Sequence, residues 1–286
     1  METKRVVVPE MEEILGQEFK VLDHGFIRVV DYMGSDSSIV QSARVSYGAG
    51  TKTVNQDAGL INFLIRHRHT SPLESCEMQF HIKMPIFVAR QWARHRTANV
   101  NEISARYSVI NHEFYVPKID QVCEQSKGNK QGRDRPLDEN IATEIQEKIR
   151  EHGENSFATY NDFLSNNMAR ELARGVLPQS TYTEMYWKID LHNLLHFLSL
   201  RADIHAQEEI RVYALQMLEI VKKWVPLVYN AFVNYRQKAI TFFGLELEKI
   251  AKILDNDKLQ ALIEESEQAK GEIKELAEKL KKLVDN

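Results

Sequence analysis

Cysteine is nearly missing from this 286-residue chain, which has two, Cys76 and Cys123. One pair builds no disulfide framework at this length, and neither thiol sits in a CxxC pattern. Two reduced thiols in a cytosolic protein are expected. Long apolar runs are missing too. No stretch approaches the roughly 20 apolar residues that a membrane span needs. Residues 1–17 break their apolar runs with Lys4, Arg5, Glu10, Glu12 and Glu13, which leaves no signal-peptide core. There is no Gly-rich phosphate loop, no fixed-period repeat and no HExxH motif. Charge is nearly balanced, with 37 Lys and Arg against 41 Asp and Glu and a formal net charge of -4. That balance argues against nucleic acid as the main partner. The remainder is ordinary for a globular protein, 43% hydrophobic and 27% charged, and long enough to bury a sizeable core.

Periodicity places the elements. Phe26 to Met33 reads as a strand, followed by turn and N-cap chemistry at Gly34-Ser35-Asp36-Ser37 and a helix carrying Ile39, Val40 and Ala43. A second helix is predicted over Gln56 to Arg66, with Leu60, Phe63 and Leu64 on one face. Cys76 to Met84 alternates apolar and polar residues, the pattern of a half-buried strand. Pro85 ends it and suits the first turn of a helix running to about His95. Glu113 to Val116 reads as another strand, and Glu124 to Pro136 as a mobile polar loop. Helices follow with Ile141, Ile145 and Ile149, then Phe157, Tyr160, Phe163 and Leu164. Thr181 to Ile189 is strand-like. Asp190 caps a helix through about Leu200, and another spans Ala206 to Trp224. After Gly244 the tail is charged and helical, with a seam at Ile273, Leu276, Leu280 and Leu283 that reads as packing or oligomer contact. Without a βαβαβ rhythm, the expected class is α+β, a mixed sheet packed with helices.

The chemically informative stretch is Arg90 to Tyr107, RQWARHRTANVNEISARY. It concentrates Arg90, Arg94, Arg96 and Arg106 in an acidic chain. On a helix, Gln91 and Arg90 would each share a face with Arg94. After Arg96 weak helix formers predict a polar loop presenting Asn101, Glu102, Ser104 and Arg106. Guanidinium forks match phosphate oxygens, so this reads as an anion site for phosphorylated ligands. Charge alone favours another reading, a solvated helix whose arginines pair with carboxylates.

Arg94, His95, Arg96, Asn101, Ser104 and Arg106 resemble the RHRxxSxNxxSxR signature of flavin-dependent thymidylate synthases, with Asn99 in place of its first serine. Five further stretches resemble the same family: Ala43 to Gly48, His67 to Glu74, Pro85 to Arg96, Arg170 to Pro178, and Leu198 to Gln207. The resemblance covers roughly Val21 to Tyr235. It implies a catalytic domain at 21–240, which leaves an N-terminal extension at 1–20 and, from composition, a helical extension at 241–286.

The resemblance also implies roles. Gln91, Arg94, Glu102, Ile103, Ser104, Ala105, Arg106, Arg174 and Arg201 correspond to positions that hold dUMP. His69, Ser71, Arg94, His95, Arg96, Glu102, Asp190, Leu191, His192 and His196 correspond to positions around FAD, and Glu74 to a supporting acid. Arg201 is the catalytic candidate, because a cation stabilises negative charge developing on the pyrimidine. Its alternative is a helix-terminal arginine answering the dipole. Ser104 has no base within its loop, so hydrogen bonding to dUMP suits it better than nucleophilic attack. The implied reaction is reductive methylation of dUMP to dTMP, with methylenetetrahydrofolate, NADPH and FAD, in a cytoplasmic homotetramer with shared sites. Neither cysteine has the setting of the nucleophile that classical thymidylate synthases use. Two rivals stand beside this reading. One is a zinc-dependent hydrolase using His192, His196 and Asp203. The other is a nucleotide- or RNA-binding module using the Arg90 to Arg106 patch.

Overall fold

In a computed structural model, residues 5–45, 54–253, 256–268 and 272–284 are described. Gly48 and its neighbours Ser46 and Tyr47, from the Ala43 to Gly48 resemblance, lie outside them. The chain divides into two units, Met1–Gln237 and Lys238–Asn286.

The first unit opens with a short helix α1 (Pro9–Glu12) and strands β1 (Glu18–Val21) and β2 (Gly25–Met33). Gly34 turns the chain at φ 88°, where a side chain would be strained. Ser35 then caps α2 (Asp36–Arg44) in a capping box with Ser38. Helix α3 (Val54–Arg66) follows. Its buried face is Ile61, Leu64 and Ile65. Phe63, expected on that face, is 41% exposed and packs on His67 and His69. Next come β3 (Glu77–Pro85) and α4 (Ile86–Trp92). Pro85 is the residue before α4 rather than within its first turn.

Helix α4 stops at Trp92, so the expected continuation to His95 does not form. Trp92 is the reason: it is 1% exposed and wedged among Trp187, Phe197 and Tyr213, with ring centroids at 5.3, 4.5 and 6.1 Å. The chain turns there, with His95 N bonded to Trp92 O. Arg94 and Arg96 therefore project from a turn and share no helix face with Arg90. The expected loop at Asn101 and Glu102 is instead β4 (Asn99–Glu102), an edge strand exposed at all four residues.

Glu113 to Val116 forms no strand, only a bridge of Phe114 to Thr181. The expected mobile loop is a hairpin, β5 (Cys123–Gln125) with β6 (Arg133–Pro136). Asp138 caps α5, a single 27-residue helix (Glu139–Ser165). Then follow α6 (Arg170–Ala173), β7 (Tyr182–Asp190), α7 (Leu191–Arg201), α8 (Glu208–Trp224) and α9 (Pro226–Phe232).

The sheet runs β1-β2-β3-β7-β4. Its strand pairs are antiparallel, and a parallel bridge of Leu15 to Val29 makes the pairing mixed. Register sets Ile27 and Val29 beside Ile82 and Phe80, and these beside Met185 and Trp187. That face enters one core with residues from α2, α3, α4, α7, α8 and α9. The opposite face carries His81, which is buried although its position in the alternation predicts a wet side chain. Its imidazole is held by Arg28 and by Glu184 at 2.9 Å and stacks on Tyr186. A smaller core joins Phe114, Phe157, Tyr160 and Ala173.

The second unit contains α10 (Gly244–Ile253), α11 (Asn256–Gln268) and α12 (Glu272–Val284). Leu259, Ile263 and Ala277 are buried there against Leu280. Of the predicted seam, Ile273 and Leu276 are exposed, and the Leu283 side chain lies outside the described residues.

Candidate functional site

Three structural decisions bring the predicted residues together. Burial of Trp92 ends α4 and turns His95 inward. Asp190, at the end of β7, accepts from Asn193 N at 2.9 Å and so starts α7. Helix α3 ends with Arg68 in the left-handed region, φ 61°, which carries the chain into His69.

Between α3, α7 and α9 lies a cavity of about 320 Å³. His69, His192 and His196 line it with Arg68, Thr70, Ser199 and Arg236, over walls that include Leu195 and Phe232. Among the described residues no carboxylate lines it. Guanidinium forks, imidazoles and hydroxyls above an apolar wall are the donor set for a flat heteroaromatic ligand carrying anionic groups. Ser71 adjoins this cavity and is exposed. Sequence reasoning missed Arg68, Ser199, Phe232 and Arg236. The last two stand far along the chain from every motif residue, and no local pattern marks them.

His196 joins the cavity to the arginine-rich turn. Its ring centroid is 6.3 Å from that of His95. His95 accepts through Nε2 from Arg201 Nε at 3.0 Å and packs edge-on against Phe197. Burial first, then the charges of Arg201 and His196, push the His95 pKa down to about 4. A neutral imidazole thus faces a guanidinium that stays charged. Arg201, at the end of α7, spends its Nε on His95.

A third group surrounds Gln91, which donates through Nε2 to Gln207 Oε1 at 3.3 Å. A fourth lies along β4 and α6. Glu102 Oε1 accepts from Thr183 Oγ1 at 2.6 Å, and Ile103 N bonds Glu184 O. Ser104 Oγ accepts from Arg106 N at 3.3 Å, which leaves its hydroxyl hydrogen free. Arg106 pairs with Glu171 at 3.1 Å, and Arg174 Nε donates to Glu171 O at 3.3 Å. Among the described residues no hydrogen bond joins this fourth group to Arg94 or Arg201. Ala105 sits within it and is half-buried.

Two predicted contacts are already occupied in the fold. The Leu191 side chain is fully buried in the core, and both Asp190 oxygens are taken up by Asn193. Arg90, Arg94 and Arg96 are exposed, and among the described residues none pairs with a carboxylate. The reading as salt-bridged surface charge therefore holds for Arg106, paired with Glu171, and among the described residues not for the other three.

The zinc reading finds no support. Asp203 is held by His205 at 2.8 Å, and among the described residues no three His, Cys, Asp or Glu are grouped to hold a metal. Cys76 is an unsuitable nucleophile, since burial pushes its thiol up to about 11.

Residues 28–227 match the family described as Thymidylate synthase complementing protein. The chain is 60% identical over 252 residues to a flavin-dependent thymidylate synthase of Ehrlichia ruminantium (strain Gardel), covering 88% of this chain and 85% of that one. It is 56% identical over 274 residues to a flavin-dependent thymidylate synthase of Wolbachia pipientis wMel, covering 96% of each. Among solved structures, the UMP/dUMP methylase PolB from Streptomyces cacaoi bound with 5-Br dUMP superposes with a TM-score of 0.70 at 33% identity, covering 77% of this chain and 99% of that one.

Proposed function

The chain belongs to the thymidylate synthase complementing protein family, the flavin-dependent thymidylate synthases, and from that premise we propose how its own residues carry the reaction. It methylates dUMP to dTMP, with FAD as cofactor and methylenetetrahydrofolate as one-carbon donor. NADPH is the reductant, and tetrahydrofolate is released.

The observation that carries the assignment of residues is the junction at His196, which lines the cavity and faces the Arg201–His95 pair. His69, His192 and His196, with Ser71, Arg94, His95, Arg96, Glu102, Asp190 and Leu191 around them, hold FAD; Leu191 contributes backbone only. The carboxylate-free lining fits a ligand that is aromatic at one end and anionic at the other. FAD held by these residues would supply, once reduced, the hydride for the transferred carbon. Gln91, Arg94, Arg174 and Arg106 hold dUMP with Glu102, Ile103, Ser104 and Ala105. The unpaired guanidiniums of Arg94 and Arg96 offer their forks to phosphate. Ser104, with a free hydroxyl hydrogen and no base beside it, donates a hydrogen bond. Arg201 sets its charge against the negative charge that builds on the uracil ring. His95 stays neutral beside it and holds the guanidinium without cancelling its charge.

A cavity of about 320 Å³ is at the small end for ligand sites. The exposed strand β4, with Ile103, Tyr107 and Val109 exposed after it, supplies the complementary surface. We propose a homotetramer with sites shared between copies, in the cytoplasm. Among the described residues no helix is long and apolar enough to cross a membrane. Light scattering of the purified protein reads the oligomeric state.

The deciding experiment is reconstitution with FAD followed by dUMP. A yellow protein whose NADPH oxidation is stimulated by dUMP and yields dTMP is expected. A folded protein that takes up no flavin would sink the assignment.

A further inference from the structure

Glu209, in the first turn of α8, is 2% exposed. Its Oε1 is bonded by the Arg133 guanidinium from β6 and accepts from Tyr115 OH at 3.2 Å, and its Oε2 accepts from Gln207 Nε2 at 2.9 Å. Desolvation opposes its ionisation, but the bonds from Arg133 and Gln207 outweigh it and its pKa lies below the usual carboxylate range. An ionised carboxylate only accepts. Gln207 must therefore turn its nitrogen to Glu209 and its oxygen away. That oxygen takes Gln91 Nε2 at 3.3 Å, so Gln91 must turn its nitrogen to Gln207. The orientation of two amides, each ambiguous alone, is dictated by one buried charge. The cost is visible: Gln91 Oε1 is enclosed and, among the described residues, has no hydrogen-bond partner. The second hydrogen on Nε2 is the amide's remaining capacity.

We propose that Glu209 is a positioning residue that, through Gln207, locks Gln91 as a hydrogen-bond donor to an acceptor oxygen of the bound nucleotide. A reversed amide would set a carbonyl oxygen against that acceptor. The hairpin β5–β6, which has no other evident part in the site, supplies through Arg133 the cation that keeps Glu209 charged. The inference rests on Gln91 touching the nucleotide, as assigned above.

The test uses the FAD-loaded enzyme and reads dUMP affinity by titration of the flavin spectrum, with flavin affinity and thermal midpoint measured alongside. Gln91→Ala should weaken dUMP about tenfold. Glu209→Gln can donate to Gln207 and so permits the whole chain to reverse; it should weaken dUMP by a similar factor while flavin affinity is kept. Glu209→Gln combined with Gln207→Glu moves the acceptor-only group one step along and again forces Gln91 to donate. This pair should restore dUMP affinity to within about twofold, although the lost Arg133 partner keeps the thermal midpoint low. A purely structural role predicts no such rescue. Where Glu209→Gln does not fold, Gln207→Met, at an exposed position, removes the lock while Arg133 still pairs the Glu209 charge, and should itself weaken dUMP. Deoxyuridine separates the acceptors: a phosphate acceptor makes the variants equal to wild type for deoxyuridine, and a pyrimidine carbonyl keeps their defect. Unchanged dUMP affinity in Gln91→Ala removes the site assignment and the inference together. Weakening in Gln91→Ala but in neither Glu209→Gln nor Gln207→Met, or failure of the paired exchange to restore affinity, overturns the inference alone.

Discussion

Arg201 donates through Nε to Nε2 of His95 at 3.0 Å, which requires that nitrogen of His95 to be unprotonated and fixes the Nδ1–H tautomer. The native pKa of about 4 lies below the ordinary 6.5. As pH falls through that window the unfolded chain takes up a proton that the native chain refuses. The contribution to stability is complete above about pH 6.5 and is lost progressively toward pH 4. Nitrogen-resolved NMR of labelled histidine should show His95 neutral at pH 5.5, and Arg201→Ala should move its titration toward 6.5. A wild-type His95 titrating near 6.5 would contradict the geometry.

The same pair sets a kinetic expectation for Arg201. Removing the charge proposed to act on the developing pyrimidine anion should cost about 10²–10³ in kcat. Flavin affinity should change little. Arg201→Lys keeps the charge but not the fork, so it should recover only part of the loss. Stopped-flow reduction and product formation separate the two halves of the reaction. An equal loss of flavin binding and turnover in Arg201→Ala would reassign the residue to structure.

Arg94 follows α4 by two residues and, among the described residues, spends its guanidinium on no carboxylate. Its free fork is available to both phosphate-bearing ligands. Arg94→Ala should therefore weaken dUMP and FAD together, each by about tenfold or more, with the thermal midpoint nearly unchanged because the side chain is exposed. Unaltered affinity for both ligands would remove Arg94 from the site.

Strands β3 and β7 were legible because one face of each is buried and the alternation records it. Cap chemistry at Ser35 and Asp190 gave the starts of α2 and α7. Strand β4 was not legible: Asn99, Val100, Asn101 and Glu102 are all exposed, and only pairing with β7 makes them a strand. The end of α4 was hidden because Ala93 to Arg96 are acceptable helix formers, and the stop comes from Trp92 being gripped by three aromatic rings. Helix α5 carries Gly153 mid-helix, where a side chain would collide with the Phe114 ring; that glycine reflects packing rather than a break. The motif residues of the site were readable because their spacing is specific. Phe232 and Arg236 were not, since they reach the cavity only through the packing of α9.

That packing has a polar anchor far away in sequence. Asp36, in the first turn of α2, accepts from Leu227 N at 3.0 Å and Val228 N at 3.1 Å. It thus caps α9, whose Val225 side offers no side-chain cap of its own. Burial raises the Asp36 pKa in spite of those two bonds. Asp36→Ala strands two backbone donors and should destabilise the protein by about 1–2 kcal/mol. Asp36→Asn retains one acceptor and should fall between. Because α9 places Phe232 and leads to Arg236 at the cavity, the alanine variant should also weaken FAD several-fold, with dUMP affinity measured at saturating flavin little changed. A variant that melts earlier but binds flavin as the wild type does would show that the position of α9 does not matter to the cavity.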